Sequence, residues 1–435
     1  MANSSSSLLQ DLIRLSEPLK ESLLQTHYAP PETYATFSVK SELISLLPDA
    51  AISDAALPSK IKDFALFCAA LASASNSTSQ HLSWIPSSLS IHAASAFEEF
   101  SSAYYGDGDD DDAHAKCSTK GVAELELDLR GAADNGKKLL IELIPEIFPL
   151  LKDRIKESAI DAKDENDRVS AASARAPVAS AVLAAYQLRW IVEQVDAPYI
   201  GKLCLLMIPC LLTALDHWSP EVKGQGMISF IHLAKTVNAA EIGGYADVVL
   251  DACCQNIASD DEIWQYVVEM SVLLIALLQK NNPRSSWCEK LLSEMLNHLE
   301  RQPRNKQRRV VWLTHSEPLL DTLGLVLLAH FRRLFPLFFK WMHADDDETV
   351  LLVLERLTAV VRLTWIRNSP HIERLIDELV TLYKDAALKV AREDIRSLTL
   401  QILKLIQTSK RPQFDATWLK YKDDPNLAPL VPSLT

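Results

Sequence analysis

Helix-start signals recur at nearly constant spacing through the last 240 or so residues of this 435-residue chain. They fall at Pro198, Pro220, Ala240, Asp261, Pro283, Pro303, Leu325, Asp346, Pro370 and Ala391. Neighbouring signals lie about 20 to 24 residues apart, so a helix pair recurs about every 42 residues. A period of that length is typical of helical hairpins that stack side by side.

The predicted helices carry apolar stripes with helical spacing. After Pro220 the stripe consists of Val222, Gly226, Phe230, Leu233 and Val237. A later helix repeats the pattern with Val350, Leu354, Leu357, Val361 and Trp365. A hairpin of such helices cannot cover both of its faces alone, so each must bury one face on its neighbour. Since glycine is scarce and no segment alternates with period two between hairpin turns, we predict an all-α fold, a HEAT/ARM-like α-solenoid of stacked antiparallel helix pairs.

Several predicted helix starts carry capping chemistry. Ser219-Pro220 and Ser369-Pro370 each place a hydroxyl before a proline at the first helical position. The run Ser259 to Glu262 matches a capping box. The run Asp345 to Glu348 resembles a cation site, but it precedes a predicted helix, where carboxylates interact favourably with exposed backbone amides. We therefore interpret this acidic run as helix capping.

Polar stretches divide the chain. A run of aspartates follows Gly106, and like charges beside glycine do not support a packed element. The predicted regions are an N-terminal helical region at 1–105, an acidic and polar flexible loop at 106–136, a helix of the N-terminal part at 137–160, a polar linker at 161–175, the HEAT-like repeat array at 176–412 and a C-terminal tail at 413–435.

Composition excludes several classes of partner. The net charge is −13, so we expect no nucleic-acid binding, which requires a basic face. The N-terminus lacks the basic region of a secretory signal, and apolar runs such as Leu203 to Leu215 are too short to cross a bilayer. We therefore expect no membrane partner. The seven cysteines include no CxxC motif, which favours reduced thiols and a location in the cytoplasm and nucleus.

No catalytic motif is present in the sequence. It lacks the phosphate-binding patterns GxxxxGK[ST] and GxGxxG, the nucleophile pattern GxSxG and the metalloprotease pattern HExxH. The glycine pair Gly224 and Gly226 is interpreted as a close-packing position, and Gly243-Gly244 as a turn between helices. We therefore predict a protein that is not an enzyme, with no catalytic residue, cofactor, metal site or small-molecule substrate.

Two segments suggest contacts with another protein. Residues 301–309 form a basic island, which is either a solvated helix face, a docking patch for an acidic partner or a nuclear-import signal. Residues 331–342 are rich in aromatics and arginine, which suits either a buried core or an interface hot spot. The candidate partner-binding residues are Arg304, Arg308, Arg309, Arg332, Arg333 and Trp341.

From Gln187 to about Lys384 the order of motifs resembles the Tti-two family, the Tel-two-interacting proteins. The motifs are Gln187 to Val192, the hairpin IPCLLTALDHWSPEVKGQGM, Val237 to Ile242 before Tyr245, Arg308 to Val311, Pro318 to Gly324, Arg332 to Leu334, Leu354 to Leu357, and Trp365 to Arg367. The resemblance covers less than half of the chain, and it is carried by the shared order and spacing of these pieces.

This resemblance implies a non-enzymatic subunit of the TTT cochaperone complex, with Tel-two and Tti-one type subunits as protein partners. That complex works with the heat-shock chaperone to mature and stabilise phosphatidylinositol-3-kinase-related kinases. The alternative is another HEAT/ARM protein-binding module, such as a nuclear-transport adaptor or a phosphatase-type scaffold. Both expectations describe a protein that binds other proteins through long helical surfaces.

Overall fold

The computed structural model describes residues 2–28, 37–48, 56–75, 79–106, 134–158, 177–367 and 370–431. Most of the predicted acidic loop and the whole predicted linker at 161–175 lie outside these ranges, as does Cys117. All regular elements within the described ranges are helices, and none of these residues is in a strand. The predicted all-α fold class is therefore confirmed. The chain divides into two compact units, Met1–Ala246 and Asp247–Thr435.

The first unit contains nine described α-helices followed by a 3-10 turn. Their bounds are α1 Ala2–Gln25, α2 Val39–Ser45, α3 Leu57–Ser73, α4 Ser87–Tyr105, α5 Asn135–Glu157, α6 Val178–Glu193, α7 Tyr199–Leu215, α8 Pro220–Thr236, α9 Ala239–Ile242 and the turn Gly243–Tyr245. Helices α3 and α4, α5 and α6, and α7 and α8 pack as pairs. Helices α4, α5 and α7 form one layer, and α3, α6 and α8 form the other. This arrangement is the predicted stack of helix pairs.

The second unit repeats the two-layer arrangement. Its helices are α10 Ala246–Asn256, α11 Trp264–Leu278, α12 Ser286–Arg301, α13 Lys306–His315, α14 Glu317–Leu323, α15 Phe331–Met342, α16 Asp347–Thr364, α17 Ile372–Asp385, α18 Arg392–Ser409 and α19 Arg411–Trp418, and its 3-10 segments are Asp261–Ile263, Gly324–His330, Ala386–Leu388, Leu419–Tyr421 and Pro425–Leu427. Helices α11, α13, α16 and α18 pack in succession as one layer. Helices α12, α15, α17 and α19 form the other layer.

The buried stripes explain why these segments pack as helices. All five predicted stripe residues are buried, four of them within α8 and the fifth, Val237, at its C-cap. A Cβ at Gly226 would lie 3.0 Å from the Cβ of Ala214 on α7. Gly226 is therefore a close-packing position, as predicted. In α16 the first four predicted stripe residues are buried. The fifth, Trp365, is 55% exposed, so its assignment to the core was wrong. Its left-handed φ of 52° ends the helix and turns the indole away from the stripe.

Of the predicted helix caps, the one at the acidic run before α16 is present and the capping box at Ser259 is not. Asp346 is the N-cap of α16 and accepts a hydrogen bond from the backbone N–H of Thr349, so the capping role of the acidic run is confirmed. The capping box lies instead at Asn238 and Glu241, and Asp260 caps its 3-10 turn without a side-chain bond. The Ser259 prediction was therefore wrong. Ser219 precedes α8 without a side-chain cap, and Ser369 lies outside the described residues.

One described segment, Glu317–Met342, has the length and apolar composition that would allow it to cross a membrane. It consists of α14, a 3-10 turn and α15, and half of its most apolar window is buried inside the fold. Phe335, Phe338 and Trp341 lie in the protein core. The segment also carries Arg332 and Arg333 near its middle. Burial against neighbouring helices therefore accounts for its apolar composition.

Candidate protein-binding surface

Arg308, one of the predicted partner-binding residues, makes its contacts within the fold of the second unit. Its side chain is only 5% exposed, and its Nε donates to a carboxylate oxygen of Asp261. One terminal nitrogen donates to the carbonyl of Ser259 at 2.8 Å, and the guanidinium lies 4.5 Å from the ring centroid of Trp264. These contacts attach α13 to the segment that precedes α11. The side chain has little surface left for a partner.

Arg309 is also engaged within the fold. It donates to the carboxylate of Asp346 at 2.6 Å and to the hydroxyl of Thr349 at 3.1 Å, both at the start of α16. Burial alone would raise the pKa of Asp346, but the hydrogen bonds from Thr349 and Arg309 outweigh it and hold that pKa below its usual range. The carboxylate is therefore a permanent anion at the helix N-terminus.

The same contact recurs from repeat to repeat as a ladder of ion pairs. Asp261 pairs with Arg308, Asp346 with Arg309, and Asp347 with Lys389. The first two pairs join residues that are 47 and 37 positions apart, close to the sequence period. Each pair ties the N-terminal end of one helix of the layer formed by α11, α13, α16 and α18 to the next helix of that layer. We call these three pairs the ladder.

Arg333 and Trp341 also have intramolecular roles. Arg333 makes two hydrogen bonds to the carboxylate of Glu300, at 2.8 and 2.9 Å, and a third to Asn297 at 2.8 Å. Trp341 is 1% exposed, and its ring centroid lies 6.1 Å from that of Trp312. Because the indole is enclosed in the core, the predicted role of Trp341 in partner binding would require the core to open.

Arg304 and Arg332 are the two predicted residues that remain exposed. The charges of Arg332 and Arg374 both act on His371, which is the N-cap of α17. The His371 ring stacks on Phe335 with centroids 5.0 Å apart, and the Arg374 guanidinium lies 4.7 Å above the Phe339 ring. Burial, followed by the charges of Arg374 and Arg332, lowers the pKa of His371. We call Arg332, His371 and Arg374 the basic patch.

Two members of the basic patch were not predicted from sequence. His371 and Arg374 lie about one repeat period after Arg332, so stacking brings them to the same place on neighbouring helices. Aligning the chain with itself at a shift of 42 residues superposes Arg332 on Arg374, and this signal would have found the pair. Arg374 is 63% exposed and donates through Nε to Glu378, which leaves its outer nitrogens facing solvent.

In a buried serine and histidine pair of the first unit, the hydrogen bond runs in the wrong direction for nucleophilic catalysis. Ser158 Oγ and His217 Nε2 lie 2.8 Å apart. The backbone N–H of Ser219 donates to His217 Nδ1 at 3.0 Å, which places the ring proton on Nε2. The histidine therefore donates to the serine and cannot take its proton. Burial, followed by the charge of Lys223, lowers the pKa of His217 to about 4, so the ring is a neutral structural group.

One described cleft of the second unit likewise lacks an activated nucleophile. It has a volume of about 430 Å³ and is lined by Glu269, Leu273, Thr314, His315, Glu317, Pro318 and Asp321. The Thr314 hydroxyl donates to the carbonyl of Val310 at 2.8 Å, as an ordinary helix-surface threonine does. Within the described ranges no three His, Cys, Asp or Glu side chains are grouped to hold a metal ion. The described cysteines are free and buried.

Comparison with solved structures finds matches at low identity. An engineered protein is 12% identical and is matched over 90% of this chain and 97% of its own, with a TM-score of 0.36. The karyopherin Kap121p bound to the SUMO protease Ulp1p is 11% identical and is matched over 94% of this chain and 47% of its own, with a TM-score of 0.33. No family model matches the chain.

Comparison with curated proteins finds two informative relatives. TELO2-interacting protein 2 of Mus musculus is 26% identical over 209 residues, which cover 45% of this chain and 41% of the mouse protein. The uncharacterized protein At2g39910 of Arabidopsis thaliana is 54% identical over 428 residues, which cover 98% of this chain and 95% of the plant protein. The chain therefore belongs to the same family as the Arabidopsis protein At2g39910.

Proposed function

We propose that this chain is a non-enzymatic helical-repeat scaffold and a subunit of a TTT-type complex. The observation that carries the proposal is the 26% identity with TELO2-interacting protein 2 over 209 residues. The stacked helix pairs of each unit support it, because such stacks bind proteins along extended surfaces. The buried Ser158–His217 pair, with the histidine as donor, gives no support to a hydrolase.

The partners in this proposal are Tel-two and Tti-one type subunits. Through them the chain would support maturation of phosphatidylinositol-3-kinase-related kinases by the heat-shock chaperone. The proposed location is the cytoplasm and the nucleus. The chain itself contributes binding energy and geometry, and it needs no cofactor, nucleic acid or membrane for this role.

The basic patch contains Arg332, one of the two predicted arginines that remain exposed to a partner. The His371 ring and the Arg374 guanidinium lie on Phe335 and Phe339, so ordering these two side chains on binding costs little entropy. Exposed arginine beside aromatic rings is also a frequent composition of interface hot spots. We assign an acidic segment of a partner subunit to this patch, with Arg304 as a further exposed cation on the same unit.

Affinity capture with subunit identification tests the proposal. The tagged chain expressed in cells of its own organism should recover Tel-two and Tti-one type subunits in amounts comparable to itself. Loss of the chain should lower the steady-state levels of phosphatidylinositol-3-kinase-related kinases without lowering their transcripts. Recovery of transport cargo or of phosphatase catalytic subunits in place of the two named subunits would reject the proposal and favour the alternative scaffold function.

A further inference from the structure

Helix α7 is apolar on its outward side as well as on its buried side. Leu205 is 63% exposed, and Leu206, Pro209 and Leu212 are half-buried. Residues 205, 209 and 212 follow the i, i+4, i+7 spacing of one helical stripe. A helix that is apolar all round is normally enclosed by protein. Here its outward stripe reaches solvent.

Two neighbouring side chains extend this stripe into a surface. Helix α5 packs against α7, and the thiol of Cys210 on α7 donates a hydrogen bond to the carbonyl of Phe148 on α5 at 3.3 Å. Leu150, which lies on α5, is 42% exposed. Trp218, which follows α7, is 41% exposed and donates from its indole N–H to the carbonyl of Ser158 at 3.1 Å. We call the set the α5–α7 surface: Leu150, Leu205, Leu206, Pro209, Leu212 and Trp218.

The helices of the second unit that correspond to α5 and α7 do not show the same exposed apolar side chains. The equivalent layer of the second unit consists of α12, α15, α17 and α19, and its helices expose charged groups such as Lys290, Arg332 and Arg374. Helix pairs of this kind can therefore pack together while their solvent-exposed side carries charged residues. A group of exposed apolar side chains on neighbouring elements, where the fold does not require them, marks an interaction site.

The charges around the α5–α7 surface indicate what kind of molecule binds there. Lys202 and Asp216 are exposed at the two ends of the α7 stripe, and the charge of Lys223 acts on Asp216. They are separated by fourteen positions, or about 21 Å along a helix, which is about four helical turns. The first unit, residues 1–246, contains 20 Lys and Arg against 32 Asp and Glu, so it carries nearly all of the net charge. That charge attracts a basic partner and repels an anionic membrane or a second copy of the same unit.

We propose that the α5–α7 surface binds an amphipathic helix of a basic partner protein. The apolar stripe of that helix would lie on Leu205, Pro209 and Leu212, with a carboxylate opposite Lys202 and a cation opposite Asp216. This is the helix-in-groove mode of recognition, in which apolar side chains at i, i+3, i+4 and i+7 supply the affinity. The surface is separate from the basic patch, and the inference does not depend on which complex the chain joins.

A designed peptide tests this inference directly. The probe is a fluorescently labelled four-turn helix with one leucine stripe, lysine at the remaining positions and one terminal glutamate. In an anisotropy titration with the full chain, Leu205→Asp should weaken binding by about tenfold or more, because the new carboxylate would be buried against leucine. Leu388→Asp is the matched control: Leu388 is 93% exposed and lies in the second unit, so this variant should bind as the wild type does.

A second variant and two further probes complete the test. Asp216→Lys should also weaken binding of the lysine-rich peptide, and both variants should unfold at the wild-type temperature. Equal binding by Leu205→Asp and the wild type, or no binding by the wild type at about 100 µM, would overturn the inference. So would Leu205-dependent binding of vesicles rich in anionic lipid, or Leu205-dependent self-association measured by light scattering, since either would assign a different occupant.

Discussion

At the scale of single residues, burial decides which side chains the chain can lose. Leu354 is fully buried in the stripe of α16, and Leu388 is 93% exposed. We predict that Leu354→Ala lowers the free energy of unfolding by about 2–5 kcal/mol, because it removes apolar contacts and leaves a cavity. The same change at Leu388 should alter it by less than about 0.5 kcal/mol. Urea titrations of the two variants measure the difference, and equal losses would contradict the assignment of Leu354 to the core.

His217 makes stability depend on pH. Its pKa is lowered to about 4 in the folded chain, whereas an exposed imidazole titrates near 6.5. The unfolded chain therefore takes up a proton first as the pH falls, so the stabilising contribution is present above pH 6.5 and is lost toward pH 4. Between pH 7 and pH 5 we expect this group alone to cost about 2 kcal/mol.

The variant His217→Asn isolates that contribution. Asparagine does not titrate, so the variant should lose less stability than the wild type between pH 7 and pH 5, whatever its stability at pH 7. Urea unfolding at the two pH values gives the comparison. Parallel losses in the two proteins would show that His217 is not the titrating group.

Sequence reasoning did not predict the intramolecular partners of the candidate residues, because a residue's environment is set by distant repeats. Arg308, Arg309 and Trp341 were predicted as partner contacts from local composition. Asp261 and Asp346, which hold the two arginines, are 47 and 37 positions away. Neither composition nor helical spacing shows whether a cation will be paired across a repeat. The exposure of Trp365 was missed for a different reason, since a left-handed turn ended the stripe one residue early.

At the scale of secondary-structure elements, the ladder joins successive helices. Arg308 is largely buried between α13 and the segment before α11, whereas Arg332 is exposed on α15. We predict that Arg308→Ala lowers the free energy of unfolding by about 1–3 kcal/mol, because it leaves the carbonyl of Ser259 and the face of Trp264 without their partner. Arg332→Ala should change it by less than about 0.5 kcal/mol. Thermal and urea unfolding of the two variants would separate them, and a stable Arg308→Ala protein would refute the ladder as a support.

Helix positions and faces were the part that the sequence predicted well. Starts such as Pro220 and Asp346 coincide with the first residue or N-cap of α8 and α16. These features depend on neighbours within a few positions, so local patterns are sufficient. The two-layer packing follows from the spacing of about 42 residues between helix pairs, because each helical hairpin must cover one face of the next. The Ser158–His217 bond, which joins residues 59 positions apart, has no such local signal.

At the scale of the whole molecule, the two units differ in charge and in what they expose. The second unit has 24 Lys and Arg and 25 Asp and Glu, so it is almost neutral, whereas the first unit is strongly acidic. The basic patch and the α5–α7 surface therefore suit partner segments of opposite charge. A scaffold with two unlike surfaces can hold two unlike partners.

Charge reversal at the basic patch tests one of those surfaces. We predict that Arg332→Glu combined with Arg374→Glu weakens capture of an acidic partner subunit by at least about tenfold, because both guanidinium groups face solvent without a full set of partners. The unfolding temperature should stay within about 2 °C of the wild type, as expected for exposed side chains. The variant Arg362→Glu combined with Arg367→Glu, at two exposed positions of the second unit, serves as a charge-matched control. Unchanged capture by the double variant would show that the patch is only solvated.

We propose that the chain assembles with Tel-two and Tti-one type subunits and acts by binding alone. Sedimentation velocity of the purified chain mixed with the two purified subunits measures this assembly. We expect one complex of equal stoichiometry whose formation needs no nucleotide or metal. Three separately sedimenting proteins at micromolar concentration would contradict it.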